Sequence, residues 1–128
     1  MHLTRIHHIA IICSDYAVSK DFYVNKLGLQ VLQETYREQR QSYKLDLAVN
    51  KLYQIELFSF PAPPPRPSQP EALGLRHLAF AVSDLATAVA ELNLKQIATE
   101  PIRTDALTGK QFTFFRDPDG LPLELYEE

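Results

Sequence analysis

Two histidines and two glutamates recur at equivalent places in the two halves of the chain. His8 opens the segment HIAIICSD, and His77 opens HLAFAVSD 69 positions later. Glu56 lies in IELF, and Glu124 lies 68 positions later in LELY. Imidazole nitrogens and carboxylate oxygens are common ligands of divalent transition metals. The repeated spacing therefore predicts four metal ligands, His8, Glu56, His77 and Glu124.

This repetition outweighs the ordinary interpretation of each residue taken alone. A single histidine at the start of a strand is usually a surface residue, and a glutamate between apolar residues usually faces solvent. Here both types recur among neighbours typical of burial, and a buried carboxylate is costly unless it is paired or metal-bound. Side chains alternate along a strand, so we expect His8 to face the site and His7 to lie on the opposite face. Two imidazoles and two carboxylates suit nickel, cobalt, zinc, manganese or iron and leave coordination positions for water or substrate.

Size, charge and cysteine content exclude several classes of protein. With 128 residues, of which 45% are hydrophobic and 23% charged, the chain has the composition of a globular domain. Its net charge of -3 gives no basic surplus for nucleic acid, and no apolar run approaches the roughly 18 to 20 residues that cross a bilayer. The N-terminus lacks the pattern of a signal peptide. The single cysteine, Cys13, cannot form an intramolecular disulfide, so we expect a reducing compartment, the cytoplasm.

A proline-rich connector separates the two halves of the predicted domain, residues 5–127. Six of the nine prolines lie at positions 61–70, and such a stretch favours an extended conformation over a helix. We place module one at about residues 5–60, the connector at 61–72 and module two at about 73–127.

Each module is predicted to fold as β-α-β-β-β. Asp15 and Asp84 are placed to cap the N-termini of the two helices, Gly28 ends the first helix, and Asp117-Pro118-Asp119-Gly120 predicts a turn before the last strand. The predicted strands, rich in β-branched and aromatic residues, cover residues 6–12, 30–36, 43–49 and 53–60 in module one and residues 79–82, 96–102, 111–115 and 121–126 in module two. A lone module would expose one sheet face and two edges, so the modules are expected to pair.

The chain resembles the vicinal-oxygen-chelate superfamily, in its glyoxalase I-like branch (the glyoxalase/bleomycin resistance/dioxygenase family). The resemblance depends on the four residues named above, on Asp15 seven positions after His8, and on the turn that begins at Asp117. It implies an α+β fold in which two tandem βαβββ modules form a cup-shaped mixed sheet around one divalent metal ion. The ligands of that ion would be His8, Glu56, His77 and Glu124. In this branch the site is often completed across a homodimer, so the resemblance implies a homodimer and leaves open whether one chain or two supply the ligands.

The implied function is that of a lyase or isomerase similar to lactoylglutathione lyase. A metal would hold two adjacent oxygens of a small substrate and stabilise an enediolate. Glu124, with Glu56 as its counterpart, would move the proton. Glyoxalase I carries an arginine and an asparagine, which hold glutathione, at the positions of Ile12 and Phe60. We therefore do not expect this chain to use glutathione in the usual way.

Three alternatives remain at the level of sequence. An iron-dependent dioxygenase or a metal-dependent thiol transferase of the same superfamily would use two histidines and one glutamate, and Glu56 argues against both. A non-catalytic module that binds a small molecule is the third. Four cations are candidates to meet an anionic substrate but are interpreted as solvated surface charges: Arg37, Arg40, Arg103 and Lys110. The expected partners are a small-molecule substrate and a second copy of the chain, with no nucleic acid and no membrane.

Overall fold

The computed structural model describes residues 1–128, which divide into two compact units, Met1–Pro65 and Arg66–Glu128. The division falls within the predicted connector. Each unit contains one four-stranded mixed sheet and one helical region in the order β-α-β-β-β. The predicted α+β class and the tandem repeat are therefore confirmed.

The first unit builds its sheet, here called the first sheet, in the order β1-β4-β3-β2. β1 pairs with β4 in parallel, and the other pairs are antiparallel. The elements are β1 (Ile9–Cys13), α1 (Tyr16–Lys20) continued by a π-helical segment (Asp21–Lys26), β2 (Gln30–Arg37), a 3₁₀ turn (Glu38–Arg40), β3 (Ser42–Val49) and β4 (Leu52–Ser59).

The second unit repeats this plan in the second sheet, whose order is β5-β8-β7-β6. β5 is parallel to β8, as β1 is to β4. The elements are β5 (Leu78–Val82), α2 (Leu85–Leu94), β6 (Arg103–Thr104), β7 (Gln111–Arg116) and β8 (Pro122–Glu127). None of the helices has the length and apolar character that a membrane crossing requires.

The predicted helix caps and the last turn are confirmed. Asp15 accepts a hydrogen bond from the Val18 amide at 3.1 Å, and Asp84 accepts one from Thr87 at 2.9 Å. In the turn, Asp117 Oδ1 accepts the amides of Asp119 and Leu121, each at 2.9 Å. Such side-chain acceptors satisfy amides that have no partner at a helix start or a turn.

The predicted strand at residues 96–102 is wrong, since only Arg103–Thr104 forms a short strand there. The Glu100 amide donates to the Phe114 carbonyl at 2.8 Å, and the Thr113 hydroxyl donates to the Glu100 carbonyl at 2.7 Å. Pro101 then has no amide to donate, which interrupts the ladder. The segment therefore lies along β7 through isolated hydrogen bonds.

The two faces of the first sheet differ sharply in burial. Alternate residues of β3 and β4, namely Leu45, Leu47, Ile55 and Leu57, are almost completely buried, and α1 contacts β4. The other face carries Lys44 and Asp46, which are partly exposed, and Glu56, which is 9% exposed. The second sheet repeats this contrast, with Leu123 and Leu125 buried and Glu124 between them on the other face. The face that carries Glu56 or Glu124 is called the open face of each sheet below.

Truncation of the buried face should be strongly destabilising. Leu57 is 0% exposed, so Leu57→Ala should lower the free energy of unfolding by about 3 kcal/mol through lost burial and a residual cavity. Leu52, on the same strand, is 59% exposed, so Leu52→Ala should change the free energy of unfolding by less than about 0.5 kcal/mol. Urea unfolding followed by circular dichroism measures both values. Equal losses in the two variants would contradict the assignment of the core.

An ion pair between α1 and β2 should make stability depend on pH. Lys20 Nζ lies 2.6 Å from Glu34 Oε2, and the Tyr16 hydroxyl donates to the same oxygen. The hydrogen bond from Lys20, helped by the one from Tyr16, holds the pKa of Glu34 below its ordinary value against the effect of burial. A lowered carboxylate pKa stabilises the fold above the unfolded-state pKa, and the contribution is lost as pH falls through the folded-state pKa.

Glu34→Gln should therefore reduce stability at pH 7 by less than about 1 kcal/mol, since the pair is partly exposed. The difference from wild type should shrink as pH falls through the lowered folded-state pKa of Glu34, because the wild-type carboxyl then loses its charge. Urea unfolding at pH 7 and at a series of acidic pH values tests this. Glu38→Gln is the control, because Glu38 is exposed. A Glu34→Gln effect that persists at low pH would show that charge is not its cause.

Candidate metal site

His8 and Glu56 meet on the open face of the first sheet. His8 directly precedes β1, and Glu56 lies on β4, where its neighbours are Ala10 on β1 and Asp46 on β3. His8 Nε2 lies 3.4 Å from Glu56 Oε2. The Glu56 side chain is only 11% exposed, while that of His8 is more accessible. The pair therefore offers one nitrogen and one oxygen donor that can be reached from one side.

The other carboxylate oxygen of Glu56 is held by two donors. Lys44 Nζ lies 3.0 Å from Oε1 and 2.6 Å from Asp46 Oδ1, and the Tyr53 hydroxyl also donates to Oε1. Burial alone would raise the pKa of Glu56, but the hydrogen bonds from Tyr53 and Lys44 outweigh it and hold that pKa below its ordinary value. Burial and the same bond raise the pKa of Tyr53 to about 12. Glu56 is thus an ionised carboxylate whose Oε2 is left for a ligand.

His7 fixes the orientation of the His8 ring. The Nδ1 atoms of the two rings lie 2.8 Å apart, and either can be the donor according to the tautomer. The His7 ring also meets Tyr53 edge-on, with ring centres 5.4 Å apart. The expectation that His7 lies on the opposite face from His8 is therefore wrong. Strand alternation does not apply there, because β1 begins only at Ile9. Contacts of this kind to the second nitrogen orient a histidine that binds metal through the first.

The second unit brings together His77 and Glu124 in the same way. His77 directly precedes β5, and Glu124 lies on β8 beside Ala79 and Phe114. His77 Nε2 lies 3.0 Å from Glu124 Oε2. The other ring nitrogen, Nδ1, is buried and has no hydrogen-bond partner, and Phe114 meets the ring edge-on at 5.1 Å. The only polar side chain in contact with the Glu124 carboxylate is His77.

The side chains beside Glu56 and Glu124 differ, although the two residues occupy equivalent positions in their sheets. In the first sheet, Asp46 pairs with Glu56, and Lys44 pairs with Phe58, two residues after Glu56 on β4. In the second sheet, the equivalent β7 positions are occupied by Phe114 and Phe112. Glu56 therefore lies among charged groups and has three polar partners, whereas Glu124 lies among aromatic rings and has one.

The donor set fits a divalent metal. In each pair a histidine Nε2 faces a glutamate oxygen, and both types of atom are ligands for the metals named above. No group of three or more His, Cys, Asp or Glu side chains is placed to hold a metal ion, so each unit contributes two candidate ligands. The prediction that all four ligands serve one ion stays a prediction.

Sequence reasoning missed the residues that hold Glu56 and His8, namely Lys44, Tyr53, Asp46 and His7. A signal for two of them exists in β3, whose sequence SYKLDLAV alternates polar and apolar residues. That alternation places Lys44 and Asp46 on the face opposite the buried leucines. Their proximity to Glu56 depends on the register between β3 and β4, which no local pattern specifies.

Comparison with known proteins identifies a family for this architecture. A family model described as Glyoxalase/Bleomycin resistance protein/Dioxygenase superfamily matches residues 5–125. The chain is 71% identical over 128 residues, all of both chains, to the uncharacterized protein YwkD of Bacillus subtilis. The crystal structure of a glyoxalase family protein from Enterococcus faecalis superposes with a TM-score of 0.91 at 52% identity, covering 99% of this chain and 100% of that one. The trypanothione-dependent glyoxalase I of Leishmania major shares the fold, with a TM-score of 0.74 at 24% identity over 98% of this chain and 88% of that one.

Proposed function

Because the chain belongs to the glyoxalase/bleomycin resistance protein/dioxygenase superfamily, we propose that it is a divalent-metal-dependent lyase or isomerase that moves a proton within a small oxygen-chelating substrate. One observation supports this most directly. In both units a histidine Nε2 faces a glutamate oxygen at equivalent positions, at 3.4 Å in the first and 3.0 Å in the second. A purely structural role would not require the same pair twice on accessible faces.

The residues that would hold the metal are His8, Glu56, His77 and Glu124. The ion, one of nickel, zinc, cobalt, manganese and iron, would polarise the chelated oxygens and so acidify the neighbouring C–H bond. The two histidines would each offer a ring nitrogen to the ion. His7 directs the ring of His8 through its contact with Nδ1.

The two glutamates have different parts in the proposed proton transfer. Glu56 stays in place, because Tyr53 and Lys44 hold one of its oxygens. Glu124 has His77 as its only polar side-chain partner, so its carboxylate is the freer of the two to turn toward a substrate C–H and take the proton. Glu124 is therefore the proposed base, and Glu56 is the carboxylate that remains as its counterpart.

The open face of the first sheet supports the prediction that glutathione is not bound in the usual way. Ile12 is exposed on this face, and Phe60 stacks on Phe58 with ring centres 5.9 Å apart. Neither side chain has a hydrogen-bonding group. These positions therefore offer packing surface in place of the polar contacts that a peptide-like thiol requires.

The contacts of Glu56 and the presence or absence of turnover distinguish the three alternatives from the proposal. A dioxygenase or thiol transferase with three protein ligands has no need of a fourth ligand, a second carboxylate held by two donors, so the contacts of Glu56 oppose that interpretation. A non-catalytic binding module would bind small molecules without releasing product.

The deciding experiment combines metal analysis with proton exchange. Untagged protein is reconstituted with each candidate metal and incubated in deuterated water with 2-oxoaldehydes, their thiol adducts and 2-hydroxycarbonyl compounds. The proposal expects metal-dependent loss of the C–H signal next to a carbonyl, measured by proton NMR, with or without product formation. Oxygen consumption would indicate a dioxygenase. Tight binding of the panel with no exchange or turnover would establish a binding module.

We also propose that the protein is a homodimer and acts in the cytoplasm. Support for the location is the buried position of its single cysteine, Cys13, which suits a reducing compartment. Support for the dimer is the expected need to cover exposed sheet edges. Light scattering after gel filtration distinguishes a dimer from a monomer by mass.

A further inference from the structure

A half-buried cation on the first sheet has no counter-ion in the protein. Arg37 ends β2, and its guanidinium carbon lies 4.8 Å from the centre of the Phe58 ring and 5.7 Å from that of Phe60. One terminal nitrogen donates to the Ser42 hydroxyl at 3.0 Å. The Nε atom is buried without a hydrogen-bond partner, and none of the ion pairs of the chain includes Arg37.

This environment is suited to binding an anion. The aromatic faces stabilise the guanidinium in part and hold its plane, but a buried N–H without an acceptor is costly. The planar fork of an arginine matches the two oxygens of a carboxylate or phosphate. Ser42, which is fully buried, fixes one end of that fork.

The second unit supplies an internal comparison. Arg103 lies over two rings in the same manner, 5.0 Å from Phe112 and 5.6 Å from Phe114. Its terminal nitrogen, however, lies 3.1 Å from Glu100 Oε2, and its side chain is 54% exposed. The repeat thus places an arginine on a pair of aromatic rings twice. Only Arg37, the half-buried one of the two, has no carboxylate partner.

The position of Arg37 relates it to the candidate metal ligands of its own unit. Phe58, which the guanidinium covers, follows Glu56 by two residues on β4, and one such step along a strand spans about 7 Å. A cleft of about 660 Å³, lined by Tyr36, Arg37, Glu38, Gln39 and Arg40, opens beside it. The guanidinium of Arg37 and the carboxylate of Glu56 therefore lie on the same open face, and the cleft beside Arg37 leaves room for an anion.

We infer that Arg37 is a specificity-determining residue that binds a carboxylate or phosphate group of the substrate. The inference rests on the proposed function and narrows its substrate to an oxygen-chelating compound that carries an acidic group. Arg103, which is neutralised by Glu100, has no such role.

The first test uses metal-free protein and inorganic phosphate, so that it does not depend on metal chemistry. Phosphate titration followed by NMR should shift the Arg37 Nε–H resonance. Arg37→Met should weaken phosphate binding about tenfold, because a charge-assisted, two-pronged contact is lost. Arg103→Met is the matched control and should bind phosphate as wild type does. Unchanged phosphate affinity in Arg37→Met would overturn the inference.

A third variant keeps the test decisive if Arg37→Met misfolds, which circular dichroism would detect. Arg37→Lys keeps the charge but loses the planar fork, so it should show a smaller loss of phosphate affinity than Arg37→Met. If Arg37→Met does not fold, Arg37→Lys still tests the inference. A lysine variant with wild-type phosphate affinity would show that the planar guanidinium is not what recognises the anion.

The second test uses metal-reconstituted protein and a series of 2-oxo acids. Pyruvate has the adjacent oxygens alone, whereas 2-oxoglutarate and 2-oxoadipate add a carboxylate at increasing distance. At least one dicarboxylate should bind about tenfold more tightly than pyruvate to wild type and to Arg103→Met. Arg37→Met should lose this preference while it keeps its metal content.

The two tests separate the failure of the inference from that of the proposed function. Wild-type protein that binds metal but does not prefer either dicarboxylate would overturn the acidic-substrate inference. Protein that binds no metal, but loses phosphate affinity in Arg37→Met, would support the anion site and overturn only the metal chemistry.

Discussion

His77→Ala is expected to lower the affinity of the protein for a divalent metal by about 100-fold or more. Loss of a group that merely supports a ligand typically reduces metal affinity 10- to 100-fold, as an order of magnitude, and loss of the ligand itself should cost at least as much. His8→Ala should behave in the same way, because the two residues occupy equivalent positions beside Glu124 and Glu56. Elemental analysis and calorimetric titration with nickel and zinc measure the change.

The chain contains its own controls for this experiment. Its four histidines are His2, His7, His8 and His77. His2→Ala should leave metal affinity unchanged, since that residue is exposed and makes no ion pair with a glutamate. His7→Ala should have an intermediate effect of about 10-fold, because it removes the contact to His8 Nδ1. Wild-type protein that binds no metal after reconstitution, or His77→Ala that matches His2→Ala, would refute the metal site.

Glu124→Gln is expected to reduce turnover by about 10²- to 10⁴-fold, the usual contribution of a positioned general base. An amide can still offer an oxygen to a metal but cannot take a proton, so metal affinity should fall by no more than about tenfold. Glu56→Gln should also reduce turnover more than it reduces metal affinity, but for a different reason. An amide in place of the carboxylate leaves Lys44 without part of its counter-charge.

Activity per bound metal is the quantity to measure, on whichever compound of the proton-exchange panel the wild-type protein turns over. Glu127→Gln on the same strand is the control, because Glu127 is the third residue after Glu124 and so lies on the other face of the sheet. If the double variant Glu56→Gln, Glu124→Gln kept full turnover, neither carboxylate could be the base.

The parts of the fold that sequence could predict are those with a local cause. Asp15 and Asp84 were recognisable as helix caps because a carboxylate beside the first helical turn satisfies its amides. The turn at Asp117 followed from its residue types in the same way. Recurrence of the His and Glu positions identified the pairs, and the structure brings His8 to Glu56 and His77 to Glu124.

The missed parts depend on where a strand begins and on which residues lie beside each other. His7 was assigned to the wrong face because strand alternation was extended past Ile9, the true start of β1. Lys44 reaches Glu56 only through the register of β3 against β4. Pro101 interrupts a segment whose composition is otherwise typical of a strand. Long-range register is a tertiary property, so residues such as Lys44 and Tyr53 could not be found from local patterns.

The separation of each sheet into a buried face and an open face affects how this protein can evolve. Stability depends chiefly on residues such as Leu45, Leu57 and Leu123, which take no part in the proposed chemistry. Residues that would meet a substrate, such as Arg37, lie on the opposite face and contribute less to the core. Mutations there can alter ligand preference without unfolding the chain, so related lineages can acquire new specificities by single steps while the scaffold remains constant.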